Sequence, residues 1–306
     1  MAYTTGEYID RFILPQLVNV LRNTKMDFMS VIPSAPKAAI SKAGIIVHKI
    51  GAPITVDWDK ADDYLDGDVK QFDIENQVIP WQYVSTSPFE TDKEEIRTSA
   101  LDRKGRLFAD SQAAISESWT AKTLHNVSPE NGTFAEMPVL RTTGPDRGAG
   151  VLRLTIRDLI TWKEELNKLK VTKQNQWYVV LCPEHLTDLA IDALNYQNFK
   201  DIYVKTMNGE PVDQYGFKFF WNQETVSYSV TDVKIAQGAA LIGTDRPSSI
   251  GFYAPHTIKA LLNLTSHYKP MSGNTRNNPP KDEGRFTGNA VGTKIYNYGH
   301  SAMISG

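Results

Sequence analysis

FETDKEEIRTSALDRKGRLFADSQAAISESWTAKTLHNV, from Phe89 to Val127, is the stretch on which the reading of the whole chain turns. Two adjacent lines of small or apolar residues run through it at seven-residue spacing: Ala100, Leu107, Ala114 and Ala121 beside Leu101, Phe108 and Ile115. On a helix these lines merge into one apolar stripe, so the spacing predicts a long helix with a single buried face. Arg103 and Glu117 fall on the face expected to point outward. Thr91 or Asp92 is placed to cap the start, Asp92, Glu94 and Glu95 sit where the positive helix end favours acids, and Pro129 follows the end. At about 1.5 Å per residue, roughly 30 residues span about 45 Å, more than the width of a small domain. Gly105, in the middle, costs about 1 kcal/mol against Ala, and a local bend is expected there.

Upstream, Glu7 to Asn23 places Tyr8, Phe12, Leu17, Val20 and Leu21 near helical spacing, with Pro15 bending a short amphipathic helix. Thr24 to Ile40, with Pro33 and Pro36, reads as an extended arm that must lie on something. Ile45 to His48 is strand-like, as are Ile54 to Trp58 and Gln77 to Ser87. Between them lies the most acidic segment, WDKADDYLDGDVKQFD, Trp58 to Asp73. Strand, polar excursion, strand is a long β-hairpin, and its tip has too few apolar residues to bury itself in its own chain.

Downstream, Ser128 to Gly150 is rich in turn residues and marks a boundary or a mobile loop. Thr155 and Asp158 form a capping pair ahead of a helix carrying Leu159, Ile160, Leu166 and Leu169. Gln176 to Cys182, QWYVVLC, is a continuous apolar run of buried-strand type, and Pro183 opens the helix PEHLTDLAIDALN at its first turn. Alternating strand and helix make this part α/β. Phe217 to Trp221 and Lys234 to Gly243 are expected as further strands, and AVGTKIYNYGHSAMIS closes the chain with a strand-like alternation at Val291, Ile295, Tyr296 and Tyr298.

The chain of 306 residues carries 41% hydrophobic and 22% charged residues, the composition of a globular protein of one elaborate domain or two. A net charge of −2 supplies no basic field for gripping nucleic acid. The single cysteine, Cys182, excludes an intramolecular disulfide framework and fits a reducing compartment. The start, MAYTTGEYIDRF, has no apolar signal core and no run approaches the ~18 apolar residues of a membrane span, so a soluble cytoplasmic product is expected.

No catalytic signature is complete. Neither G-x-x-x-x-G-K-S/T nor G-x-G-x-x-G occurs, so nucleotide chemistry lacks its usual cradle. Gly299, His300 and Ser301 resemble a nucleophile elbow only in part, because that motif needs glycine where Met303 stands. Cys182 and His185, spaced C-x-x-H on a strand-to-helix turn, are half of a zinc site or a thiol–imidazole pair; a buried thiol beside a surface His is the simpler expectation. Asp62, Asp66, Gly67 and Asp73 occupy four places of an EF-hand calcium loop, but Tyr64 and the short Asp73 break the ligand set, which favours a solvated or partner-facing acidic loop. No catalytic residue, cofactor or metal is therefore assigned.

Taken in order, these parts resemble the major capsid proteins of tailed bacteriophages, the Hong Kong 97 fold, shared with encapsulin shells. KAGIIVHKIGAPITVDW before the loop, PFETDKEEIRTSALD at the helix entry and VVLCPEHLTDLAI at the strand-to-helix step carry the likeness. The resemblance implies an α+β fold with an N-terminal arm (1–40), a peripheral domain (41–128) holding an extended loop (about 51–78) and a spine helix (about 91–126), an apical α/β domain (129–255) and a return to the peripheral domain (256–306). It implies a structural protein, not an enzyme, many copies of which close as hexamers and pentamers into an icosahedral shell around double-stranded DNA touched only weakly. A separate scaffolding protein, a portal, decoration proteins and a place in the virion follow from the same likeness. Some family members crosslink Lys to Asn between subunits; Lys60 and Lys70 lie in the loop, but no partner Asn or catalytic acid is identified, and that chemistry is not carried over. An encapsulin-type compartment and an α/β enzyme with a site gathered from distant segments are the alternatives.

Overall fold

The long helix, α1, runs Arg103–Val127 in a computed structural model that describes residues 27–50, 74–92, 103–148, 150–169, 171, 174–195, 212–214, 216–270 and 281–306. Its 25 residues span roughly 37 Å and pass Gly105 without interruption. Thr91 and Asp92 belong to strand β4 (Phe89–Asp92), which pairs with β12 (Lys281–Lys294) in the register Asp92↔Lys281 to Phe89↔Gly284. The side chains of Leu101, Arg103, Leu107 and Phe108 lie outside the described residues, as do positions 93–102. Farther along, Ile115 is buried as expected, while Ala114 and Ala121 are half-buried. The rest of the buried face is Ser111, Thr120, Thr123, Leu124 and Val127. Thr120 and Thr123 can be buried because each hydroxyl donates to the carbonyl four residues back, Ser116 and Trp119, both at 2.8 Å.

Beneath α1 lies a four-stranded antiparallel sheet in the order β11 (Thr257–Pro270), β12, β3 (Gln82–Ser85), with β4 continuing beyond β3 along β12. Gly284, Gly288 and Gly292 recur every fourth residue of β12 and so share one face. At Gly292 the reason for glycine is explicit, since a Cβ there would stand 2.1 Å from Thr123 Oγ1. The arm reaches the free edge of this sheet: Lys259 accepts from Ala35 N and donates to Pro33 O, after which Pro36 turns the chain away. A separate two-stranded ribbon pairs β1 (Gly44–Ile50) with β2 (Ile74–Pro80), from Gly44↔Pro80 to Ile50↔Ile74. Ile45 and Ile79 seat its base on Ile258, Ala260 and Val291 of the larger sheet. The joining residues 51–73, with the expected strand at Ile54 to Trp58 and the acidic loop, lie outside the described residues.

The second body is a mixed sheet in the order β5 (Val139–Arg141), β13 (His300–Ile304), β10 (Arg246–Tyr253), β6 (Trp177–Leu181), β8 (Phe217–Trp221), β7 (Val212–Gln214), with β9 (Ser227–Tyr228) on the start of β10. Helix α3 (Pro183–Asn195) follows β6, whose parallel neighbour in the sheet is β8. Helix α2 (Ile156–Asn167) opens with the expected box, Thr155 accepting from Asp158 N while the Asp158 carboxylate accepts from Thr155 N. Successive strand residues serve opposite faces. Val179, Leu181, Phe219 and Met303 pack with Trp162 and Leu166 of α2 and Leu186 of α3, whereas Val180, Phe220, Ala302 and Ile304 pack with Phe28, Ile32 and the α1 residues Leu124 and Val127. Both faces are covered, which is why these strands read as continuous apolar runs.

Two expectations are corrected here. Lys234 to Gly243 is a loop, joined to the sheet by the single bridge Tyr228↔Lys234. The closing residues do not all rejoin the sheet under α1: β12 does, but β13 enters the middle of the mixed sheet between β5 and β10. Its five residues are all buried, as a strand covered on both faces requires.

Candidate assembly surfaces and the helix junction

The sequence's catalytic candidates are placed in the core of the mixed sheet. Ser301 Oγ accepts the Trp162 indole N–H at 2.8 Å and is fully buried. His300, one residue earlier on the same strand, points to the opposite face, so the two cannot act as a pair. Burial, then the charges of Lys294 and His256, hold the His300 ring neutral. His185 is likewise buried rather than on the surface, with Nδ1 2.7 Å from Ser249 Oγ and Nε2 3.0 Å from Ser305 Oγ. Burial pushes the Cys182 thiol up to about 12 and His185 down to about 3. A thiolate–imidazolium pair needs both shifts in the opposite sense, so this is a packing network. Among the described residues no group of three or more His, Cys, Asp or Glu is arranged to hold a metal. The calcium-like loop Asp62 to Asp73, with Lys60 and Lys70, lies outside the described residues.

What the described surface does offer is exposed apolar area in two places. Along the ribbon and the sheet under α1, Val78, Leu261, Leu264 and Tyr83, the last 65% exposed, face outward. At the loops of the mixed sheet Phe134, Val230, Leu241 and Ile242, the last 71% exposed, do the same. Single exposed apolar residues are ordinary, whereas apolar residues gathered in groups mark surface that is free to pack on something else. No helix of the described residues is long and apolar enough to cross a membrane.

Where α1 ends, three segments converge on one cluster of charge. Lys234, from the loop after β9, donates to the His125 carbonyl at 2.9 Å and to Glu130 Oε1 at 2.6 Å. Lys294, the last residue of β12, donates to the Ser128 carbonyl at 3.0 Å and stands 3.7 Å from the same Glu130 oxygen. Both ammonium groups satisfy carbonyls that the helix end leaves without partners, and the negative end of the helix favours them. Their side chains are only 3% and 13% exposed, against 61% for Glu130. Burial pushes Glu130 up, but the Lys234 hydrogen bond and the charges of Lys234 and Lys294 outweigh it and hold the carboxyl below its usual range. Burial lowers both lysines, and Lys234 further lowers Lys294. Positions 130, 234 and 294 carry no spacing signal in the sequence; only the helix end's need for cations hinted that some would come.

No family model and no curated protein matches the chain. Solved structures do. The capsid of a native GTA particle aligns at 11% identity and a TM-score of 0.60, over 94% of this chain and 91% of that one. The capsid of the cyanophage P-SCSP1u aligns at 10% identity and 0.59, over 100% and 93%. The chain has the Hong Kong 97 capsid fold. A structure of Mycobacterium phage Che8, at 14% identity and 0.56 over 90% of each chain, agrees. In this capsid fold α1 is the spine helix, and the charge cluster closes its carboxyl end.

Proposed function

We propose that this chain is the major capsid protein of a tailed-phage type of particle, many copies of which close into an icosahedral shell around double-stranded DNA. The observation that carries the reading is end-to-end coverage: capsid structures account for nine-tenths or more of this chain while nearly all of their own length is used. The buried state of Cys182, His185 and Ser301 supports a structural role over an enzymatic one. The near-neutral charge suits a wall that must contain DNA without binding it tightly.

Within this reading the arm and residues 41–128, joined by β11 and β12, form the peripheral domain. Residues 129–255, joined by β13, form the apical domain. Hexamers and pentamers of this unit are the building blocks, with a scaffolding protein, a portal and decoration proteins as further partners and the virion as their location. Negative-stain microscopy and light scattering of the purified protein, alone and with its scaffolding protein, test this. Shells, tubes or rings are expected. A monomer that persists at high concentration with the scaffold present overturns the reading, and shells that enclose an enzyme in place of nucleic acid favour a compartment instead.

A further inference from the structure

The cluster at the end of α1 adds a polar tie between two sheets that already share the packing of α1 and the short link Ala254–His256. Lys294 belongs to the sheet under the helix, Lys234 to a loop of the mixed sheet, and Glu130 to the connection between them. Two further contacts tie the same helix turn to the same two partners: Asn126 Nδ2 donates to Gly292 O at 3.0 Å, and His125 Nε2 lies 3.0 Å from Ile235 O. Two nearly buried ammonium groups share one carboxylate. His125, kept neutral by burial first and by Lys234 next, adds no compensating charge, and Lys122 on the same helix adds another cation nearby.

We propose that Glu130 is the counter-ion of a charge latch that fixes the angle between the two sheets, and that loss of its charge opens the latch. The argument is electrostatic. With Glu130 ionised, one carboxylate and two helix carbonyls balance two cations. Without it, two like charges remain side by side in a poorly solvated space, and the cheapest relief is for one of them to move out to water. That movement separates either the Lys234 loop or the end of β12 from the helix. Glu130 is the exposed member, so a proton can reach it without unfolding anything. The charged and titratable groups facing it are Lys234 from the loop, Lys294 from β12, His125 from α1 and Tyr228 from β9. Its carboxyl is held below the ordinary range, so the latch is closed above that range and opens as pH falls through the lowered value.

This latch is a property of one subunit and stands apart from the shell reading, so its test uses unassembled protein. Hydrogen–deuterium exchange at fixed pH is compared among the wild type, Glu130→Gln, Lys294→Met and the double variant. Glu130→Gln keeps an acceptor and removes only the charge. It is expected to speed exchange about tenfold in residues 121–130 together with 229–235 or 291–294. Lys294→Met leaves the neutral pair Glu130 and Lys234 and is expected to stay within about twofold of the wild type. In the double variant the surplus cation is gone, and protection is expected to return to within about twofold of the Lys294→Met level. The proposal is overturned if Glu130→Gln exchanges like the wild type, or if Lys294→Met loosens the junction as much as Glu130→Gln does. A double variant looser than Glu130→Gln also overturns it, since that additivity describes lost hydrogen bonds and not charge balance. Should Glu130→Gln alone fail to fold, recovery of folding in the double variant supports the latch and its absence refutes it.

Discussion

The mixed sheet is built of strands of at most eight residues and the sheet under α1 around two of fourteen, and they treat solvent differently. In the mixed sheet β13 is buried at every residue and β6 and β8 alternate between two filled cores. Under α1 one face is packed and the strands run on past it, so that Leu261 and Leu264 of β11 and Tyr83 of β3 stay exposed. The first sheet is stable through its own chain. The second has apolar surface in reserve, carried on a body whose core does not depend on it.

The sharpest way to break this contrast is to empty the mixed sheet. Trp162 is fully buried and holds Ser301, so Trp162→Ala is expected to cost about 3 to 5 kcal/mol in denaturant titration of the unassembled protein. A loss below about 1 kcal/mol would mean that this core is not closed.

A pH series probes the same interior. His185 folds neutral with its pKa near 3, so below pH 6.5 the unfolded chain binds a proton that the folded chain refuses. Stability contributed at neutral pH should therefore drain away between pH 6.5 and about 3, by on the order of 1 kcal/mol per pH unit. His185→Gln should flatten that part of the curve; wild type and variant falling in parallel would show that the ring is reached by water.

The packed face of the other sheet is tested by Gly292→Ala, where the new Cβ meets Thr123 and the spine helix must lift, at about 1 to 3 kcal/mol. An unchanged melting curve would place helix and sheet farther apart than the structure does. Smallest of all, Leu261→Ser and Leu264→Ser should alter the monomer by no more than about 0.5 kcal/mol while lowering the yield of assembled particles. If both variants destabilise the monomer strongly, the exposed edge is part of its core and the contrast fails.

The sequence carried the mixed sheet's elements better than their arrangement. WYVVL announced a doubly buried strand, and Thr155 with Asp158 announced a helix start, because both signals are local. That Thr91 and Asp92 form a strand is not legible locally, because their partners, Asp282 and Lys281, lie about 190 residues away. The lower helix stripe was missed because Thr120 and Thr123 count as polar until their hydroxyls are seen bonded within the helix. No periodicity reveals that Lys234 and Lys294 meet at Glu130, since only the closed fold brings the three together.

The placement of β12 and β13 also sets a clock. Every strand they pair with precedes them in the chain: β3, β4 and β11 for the one, β5 and β10 for the other. On a ribosome adding roughly 5 to 20 residues per second, neither sheet can be completed until the stretch from Lys281 to Ile304 has emerged. Until then the edges of β3, β4, β5, β10 and β11 that these two strands cover stand without their partners, so the last two dozen residues close both sheets at once.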